Sequence, residues 1–421
     1  MSKRSKTRKK RILFFIIIIT IVTISAAMAV NGIANEKQNL GESEKPNDIS
    51  QNEPEPEQPI TKPEPEPEVK PDVTIKLSAT GDIMVHPSQL EGAFDASTNK
   101  YDFTNSFKGV QDILESADIS IANFEGTTGG DEIYSYQGYP LFNAPDEVLD
   151  AIKDAGIDIL STANNHSLDT RKAGIIRTVE QIKNIGMDSV GTYVEKPETR
   201  VLIKDVKGIK IAFIAYTEMV NGLESLITPA DLDSMVNIID ETKMKEDIIY
   251  AKEQNADIIV AYLHWGNEYA RVQSERQEIL ADMLFNEGVD IILGSHPHVI
   301  QPSKRVEYEG KEKFVAYSMG NFISNQRIET LTPYGITAPQ YTEDGVIINI
   351  DIEKKGETGE VSIKNIEYIP LWVYKGIAEN GRTEHVVYPI MDYIESNEFN
   401  SSSKERMTRS YNDTMIQMDV E

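Results

Sequence analysis

A layered α/β fold with buried sheets is predicted by three features of the 421-residue chain. From Val73 onward, short apolar runs alternate with segments of helical period, as expected of strands covered on both faces and separated by helices. Polar residues recur at the ends of those runs, where ligands of such folds bind. There is no cysteine, which excludes a disulfide framework, a thiolate zinc site and a cysteine nucleophile. The fold must hold by core packing.

The elements follow in chain order. Residues 1–11 hold seven Lys/Arg and no acid. The nineteen residues Ile12–Val30 are apolar and uncharged. At about 1.5 Å per residue they approach the roughly 30 Å hydrocarbon layer. A basic block before such a run stays cytoplasmic. The expectation is a single transmembrane signal anchor in the cell membrane, with the C-terminal domain extracellular. Ala27-Met28-Ala29 also resembles a signal-peptide cleavage site, and cleavage there would leave the domain on the same side. Residues 31–72 are rich in Glu and Pro, including Pro63-Glu64-Pro65-Glu66-Pro67-Glu68. Extended proline geometry and like-charge repulsion make this a disordered stalk.

A folded domain is expected over 73–374. Strands are predicted at Thr74–Ala79, Ile119–Asn123, Ile157–Thr162, Ile209–Tyr216, Ile258–Leu263, Val289–Leu293, Phe314–Tyr317 and Gly345–Ile352. Helices are predicted at Phe107–Ser116, Asp146–Ala155, Ala173–Ile185, Asp240–Gln254 and Ser274–Asn286. In the last of these Ile279, Leu280, Met283 and Leu284 share a face, and Gly288 follows the end. Residues 361–368 alternate as a strand does. Residues 375–421 read as a polar extension, with a short helix around Val386–Glu395 and a disordered stretch at Asn400–Lys404.

The net charge is −26. Taking the seven N-terminal basic residues from the total of 42 leaves 35 against 68 acids, a net of −33 for the remainder. Such a domain is a poor nucleic-acid binder.

Six strand ends carry polar side chains: Thr80-Gly81-Asp82, Asn123-Phe124-Glu125, Asn164-Asn165-His166-Ser167-Leu168-Asp169, His264-Trp265-Gly266-Asn267-Glu268, Gly294-Ser295-His296-Pro297-His298 and Ser318-Met319-Gly320-Asn321. Each alone is an ordinary loop or cap. Together they place nitrogen and oxygen donors around one point, a set suited to Zn²⁺, Mn²⁺ or Fe²⁺. Asn321 stands near the mouth, where its amide positions substrate or caps a turn. Tyr139, Phe142 and Asn143 either line the cleft or only pack.

The ordered series resembles the calcineurin-like metallophosphoesterase superfamily, and within it the CapA family of capsule and poly-gamma-glutamate synthesis proteins, over about residues 74–325. The resemblance implies a metallophosphoesterase-like β-sandwich flanked by helices. It implies metal ligands at Asp82, Glu125, Asn165, His264, His296 and His298, holding one or two divalent transition-metal ions (Mn, Zn or Fe). It makes His166 the catalytic histidine, which protonates a leaving group or steadies the transition state; Asp169, three residues on, is the candidate to orient it. It implies capsule or poly-gamma-glutamate polymer and its synthesis machinery as partners. The activity implied is that of a metal-dependent hydrolase or transferase; a non-catalytic accessory subunit is the alternative. The chain departs from the superfamily pattern at three places. Met84 stands where the first motif has a histidine, with His86 nearby. Glu125 replaces the usual bridging aspartate. Ser167 replaces an acid after His166.

Overall fold

The computed structural model describes residues 70–418. The N-terminal tail, the apolar run Ile12–Val30 and nearly all of the 31–72 stalk lie outside the described residues. Among the described residues no helix is long and apolar enough to cross a membrane.

Two large sheets form the architecture, besides a two-stranded ribbon of Phe94–Asp95 and Lys100–Tyr101. The strands of the two large sheets are β1 (Val73–Ile83), β2 (Ile119–Phe124), β3 (Ile159–Ser161), β4 (Asp188–Val190), β5 (Leu202–Val206), β6 (Ile209–Thr217) and β7 (Ile258–His264). They continue with β8 (Ile291–Ser295), β9 (Ile300–Tyr308), β10 (Lys311–Met319), β11 (Asn321–Ile323), β12 (Asp344–Lys354), β13 (Val361–Ile377) and β14 (Thr383–Pro389). The first sheet has the order β14-β13-β12-β1-β2-β3-β4, with β11 beside β1; the second has the order β9-β10-β8-β7-β6-β5. Strands β1 to β4 are parallel, as are β6, β7, β8 and β10. Within each parallel set the carboxyl ends therefore share one rim.

Side-chain alternation sets the layers. In β6, Ile209, Ile211, Phe213 and Ala215 enter the core between the sheets, with Leu77 of β1, Val260 of β7 and Ile348 of β12. Ala212, Ile214 and Tyr216 face the other way, onto Met244 and Ile248 of α4 (Glu241–Glu253) and Leu280 and Leu284 of α5 (Glu275–Glu287). The outer face of the first sheet is covered by α1 (Pro87–Ala93) and α2 (Glu147–Asp154), through Leu90, Val148, Leu149 and Ile152. Helix α3 (Arg171–Asn184) follows the third strand-end motif. The expected sandwich flanked by helices is observed. The strand runs lack polar alternation because both of their faces are buried.

The sequence-based elements need correction where apolar periodicity is weak. Edge strands β4, β5 and β9 were not anticipated, because an edge keeps polar residues. Predicted helix 107–116 is two short pieces, Thr104–Phe107 and Gln111–Glu115. In α5 the Ser274–Gln277 capping box starts the helix and Gly288, at φ 108°, ends it. Ile279 is exposed, so Leu280, Ala281, Leu284 and Phe285 form the buried stripe instead. The helix expected near Val386–Glu395 is strand β14 followed by one turn at Ile390–Tyr393. The stretch expected to be disordered, Asn400–Lys404, leads into and opens α6 (Ser401–Met418), whose Met407, Ser410, Thr414 and Met418 are buried.

Candidate metal centre

Close backbone approach builds the rim. A Cβ on Gly81 would lie 1.9 Å from the Gly320 carbonyl, and one on Gly294 2.0 Å from the Tyr317 carbonyl. Only glycine lets β1 and β8 reach these neighbours. The next residues in sequence are Asp82 and the 295–298 loop. The Asp82 amide donates to the Gly320 carbonyl at 3.0 Å. His296 and His298 then adopt left-handed backbone, at φ 97° and 57°. That conformation is costly for a side-chain-bearing residue and is held by its surroundings. Part of the holding force is the His296 amide, which donates to Asp82 Oδ2 at 3.2 Å. Beneath the rim, the Tyr262 hydroxyl donates to the Thr80 carbonyl at 2.8 Å and ties the two sheets together.

Six of the predicted ligands converge. Ligand atoms of Glu125, His264 and His296 lie within 4.8 Å of one another, as do those of Asp82, Glu125 and His298. Asn165 joins through Oδ1, 2.9 Å from His264 Nε2. Glu125 is the shared member. His298 Nε2 lies 3.7 Å from its Oε1, His264 Nε2 3.8 Å and His166 Nε2 4.0 Å.

The outer atoms of the rings are held by the protein. His264 Nδ1 lies 2.9 Å from Ser295 Oγ, and His298 Nδ1 lies 3.2 Å from Asn321 Oδ1 and 3.3 Å from Asp82 Oδ2. Such contacts fix ring orientation and leave the other nitrogen for a ligand. Asn123 donates to Asp82 Oδ1 at 2.7 Å and accepts from Asn164 at 3.2 Å. Asn123 and Ser295 are thus supporting residues with no role predicted from sequence, and Asn221, whose Oδ1 accepts from Asn165 Nδ2 at 3.3 Å, is a third. Asn123 and Ser295 sit inside quoted motifs, so their strand-end position was the available signal. Asn221 is on a loop with no periodic signal.

The electrostatics of the cluster favour a bound cation. Burial, then the charges of Asp82 and Glu268, push the Glu125 carboxyl well above the usual range. Burial and the neighbouring histidines push His264 well down and His296 to about 3. For His298, burial opposes the charged form, but the hydrogen bond and charge of Asp82 outweigh it and raise the group. Both Glu125 carboxylate oxygens and His296 Nδ1 are buried with no hydrogen-bond partner. An orphaned buried carboxylate among imidazoles is costly unless a cation satisfies it. The donor set of imidazole, carboxylate and amide fits a divalent transition metal.

His166 stands beside the cluster. Its Nδ1 is 2.7 Å from Asp169 Oδ2, which also accepts from the Phe142 amide at 2.5 Å. Burial raises Asp169 against the opposing effects of these two partners. Asn221 Nδ2 lies 3.5 Å from His166 Nε2. The Phe142 ring packs edge-on against His166 at 4.7 Å, and His86 meets the same Phe142 ring at 5.1 Å.

Other predicted residues take different places. His86 Nε2 contacts Ser324 Oγ at 3.1 Å and is not grouped with the ligand atoms. Met84 is buried, its sulfur 3.8 Å from Ser324 Oγ. Asn321 is fully buried, and its amide donates to the carbonyls of His298 and Thr342 and to Gln326 Oε1. With every polar atom used, it holds His298 and does not reach out to substrate. Asn143 is likewise buried and pins its own loop, accepting from the Gly129 amide at 2.7 Å. Tyr139 is exposed.

A two-sheet sandwich with carboxylate, amide and imidazole donors at adjoining strand ends defines an α/β protein with a candidate metal centre. Its particular family follows from comparison: residues 76–326, more than half of the chain, match the family described as bacterial capsule synthesis protein PGA_cap, and the chain belongs to that family. It is 29% identical over 262 residues to capsule biosynthesis protein CapA of Bacillus anthracis, covering 60% of this chain and 60% of that protein. The match thus spans less than two thirds of that relative's length. It is 27% identical over 306 residues to PGA biosynthesis protein CapA of Bacillus subtilis strain 168, covering 70% and 72%. Among solved structures, calcineurin-like phosphoesterase YfkN from Bacillus subtilis aligns over 82% of this chain and 99% of its own, at 16% identity and a TM-score of 0.42.

Proposed function

We propose that the chain is a metal-dependent hydrolase or transferase of the cell envelope, acting on a phosphoester or acyl linkage during capsule or poly-gamma-glutamate assembly. The observation that carries this reading is Glu125: a buried carboxylate with both oxygens unpartnered, ringed by three imidazoles and facing the His166–Asp169 pair. Asp82, Glu125, Asn165, His264, His296 and His298 would hold one or two ions of Mn, Zn or Fe. When bound, such an ion supplies Lewis-acid polarisation of the scissile group. Asp169 holds the His166 ring through Nδ1 and leaves Nε2 to deliver a proton to the leaving group. Phe142 packs on that ring and keeps water from its flank.

The two CapA relatives, named for capsule and PGA biosynthesis, support the polymer and its synthesis machinery as partners. The basic N-terminus followed by the uncharged run Ile12–Val30 supports anchoring in the cell membrane, with the domain extracellular. One observation favours a second reading. Met84 takes a donor away from the first motif, which suits an accessory protein that bridges an acidic polymer through a cation without turning it over.

Metal content of the purified full chain tests the proposal. At least one tightly held transition-metal ion per chain is expected, with a fall in melting temperature on chelation. His166→Ala should keep the metal and lose hydrolysis of a chromogenic phosphoester. Less than one ion, with stability unchanged by chelation, refutes the metal reading. Metal present in both forms with equal turnover removes His166 from the chemistry, and metal without turnover in the unaltered chain favours the accessory reading.

A further inference from the structure

We infer that Glu268 is a metal ligand, a carboxylate donor carried by the second sheet beside His296 and His298; this rests on the metal-centre reading above. At the Asp82–Glu125–His298 position three donors come from the protein. Residue 84, two places after Asp82, offers a thioether that is buried against Ser324. Hard and borderline divalent ions take oxygen and imidazole nitrogen in preference to thioether sulfur. A four-donor protein shell is therefore one short.

The loop after β7 brings a further carboxylate to the same rim. Its backbone is stapled to the histidine loop by two hydrogen bonds, Trp265 N to the Ser295 carbonyl at 3.0 Å and Tyr269 N to the Pro297 carbonyl at 2.8 Å. Gly266 turns the chain at φ 92°, and its amide donates to Glu218 Oε2 at 3.0 Å. Tyr269 turns it again at φ 63°. Between these turns, the Glu268 carboxylate comes within 4.8 Å of ligand atoms of both His296 and His298. His298 is common to this group and to the Asp82–Glu125 group.

Two further observations point to a ligand. His296 Nδ1 is buried and has no partner. Glu268 itself makes no hydrogen bond or ion pair among the described residues, although the two imidazoles it approaches, His296 and His298, are buried. An exposed acid with no partner is ordinary on a surface. One that a doubly stapled loop delivers to two buried imidazoles, on the same rim as a missing donor, completes a two-histidine, one-carboxylate set for a divalent ion.

The test is equilibrium dialysis of the purified full chain against Zn²⁺ and against Mn²⁺, with bound metal measured by elemental analysis, for the unaltered protein and for Glu268→Gln. The substitution is isosteric and exposed, so folding is retained, and circular dichroism checks this. The expected result is at least about tenfold weaker binding at one position, unchanged in about 1 M salt, where charges more than about 3 Å apart are screened. Equal affinity and stoichiometry in the two proteins overturns the inference. So does a loss that disappears at high salt, which would make Glu268 a distant charge and not a ligand. If the unaltered chain binds neither ion, the metal-centre reading itself fails; if it binds and Glu268→Gln binds equally, only the assignment of Glu268 fails.

Discussion

His385 predicts an acid-sensitive stability that its replacement should remove. It is the one histidine of six outside the strand-end motifs and their surroundings. In β14 it is buried against Ser88 at the start of α1. Its Nε2 lies 2.9 Å from Asn325 Oδ1 and 3.3 Å from Ser88 Oγ, and its Nδ1 has no partner. Burial, then the positive charges of Lys375 and Arg327, hold it down at about 3 against an ordinary value of 6.5. The folded protein thus keeps this ring neutral where the unfolded chain protonates it. Between those two values the unfolded state binds the extra proton, so stability falls as the pH drops from 6.5 toward 3.

Each unit of pH in that window is worth about 1.4 kcal/mol. Moving from about pH 7 to about pH 5 should therefore cost about 2 kcal/mol through His385. Gln in its place can keep a donor near Asn325 and has no proton to take up. Urea unfolding at the two pH values, on the unaltered chain and on His385→Gln, measures the difference. The unaltered chain should lose about 2 kcal/mol more than the variant. Equal losses would mean that the ring is not held neutral in the fold and would refute the reasoning.

Asp169→Asn should lower turnover of a chromogenic phosphoester by about 10²-fold or more, the scale of a general acid's contribution, with bound metal unchanged. A parallel loss of metal would show that Asp169 supports the ligands and not His166. Asn321→Ala removes donors to three buried acceptors and should destabilise by about 1–3 kcal/mol. Because Asn321 also holds His298, metal affinity should fall by about 10–100-fold. Calorimetric titration of the metal-free variant would show unchanged affinity if Asn321 only caps its turn.

Much of the site was legible because its chemistry depends on residue types placed directly after apolar runs. Asp82, Glu125, Asn165, His264, His296 and His298 each follow a run whose two buried faces leave no room for polarity, so a polar residue there marks the strand's end. The core elements were readable for the same reason. Weakly periodic elements were not. β9 carries Lys304, Arg305 and Glu307 in an edge strand, where one side faces solvent. α6 is polar apart from a narrow buried stripe, and Arg406 and Arg409 face the buried Glu343.

Local pattern alone thus established that the chain makes a layered α/β fold with nitrogen and oxygen donors at its strand ends, since burial on both faces and the termination of burial are one-dimensional signals. Which donors share an ion depends on contacts between distant segments. His296 reaches Asp82 across 214 residues and Asn165 reaches His264 across 99. Only the packing of one sheet on the other brings them together. The same packing turned Asn321 inward to hold His298, placed His86 against Phe142 and Ser324, and brought Glu268 beside His296 and His298.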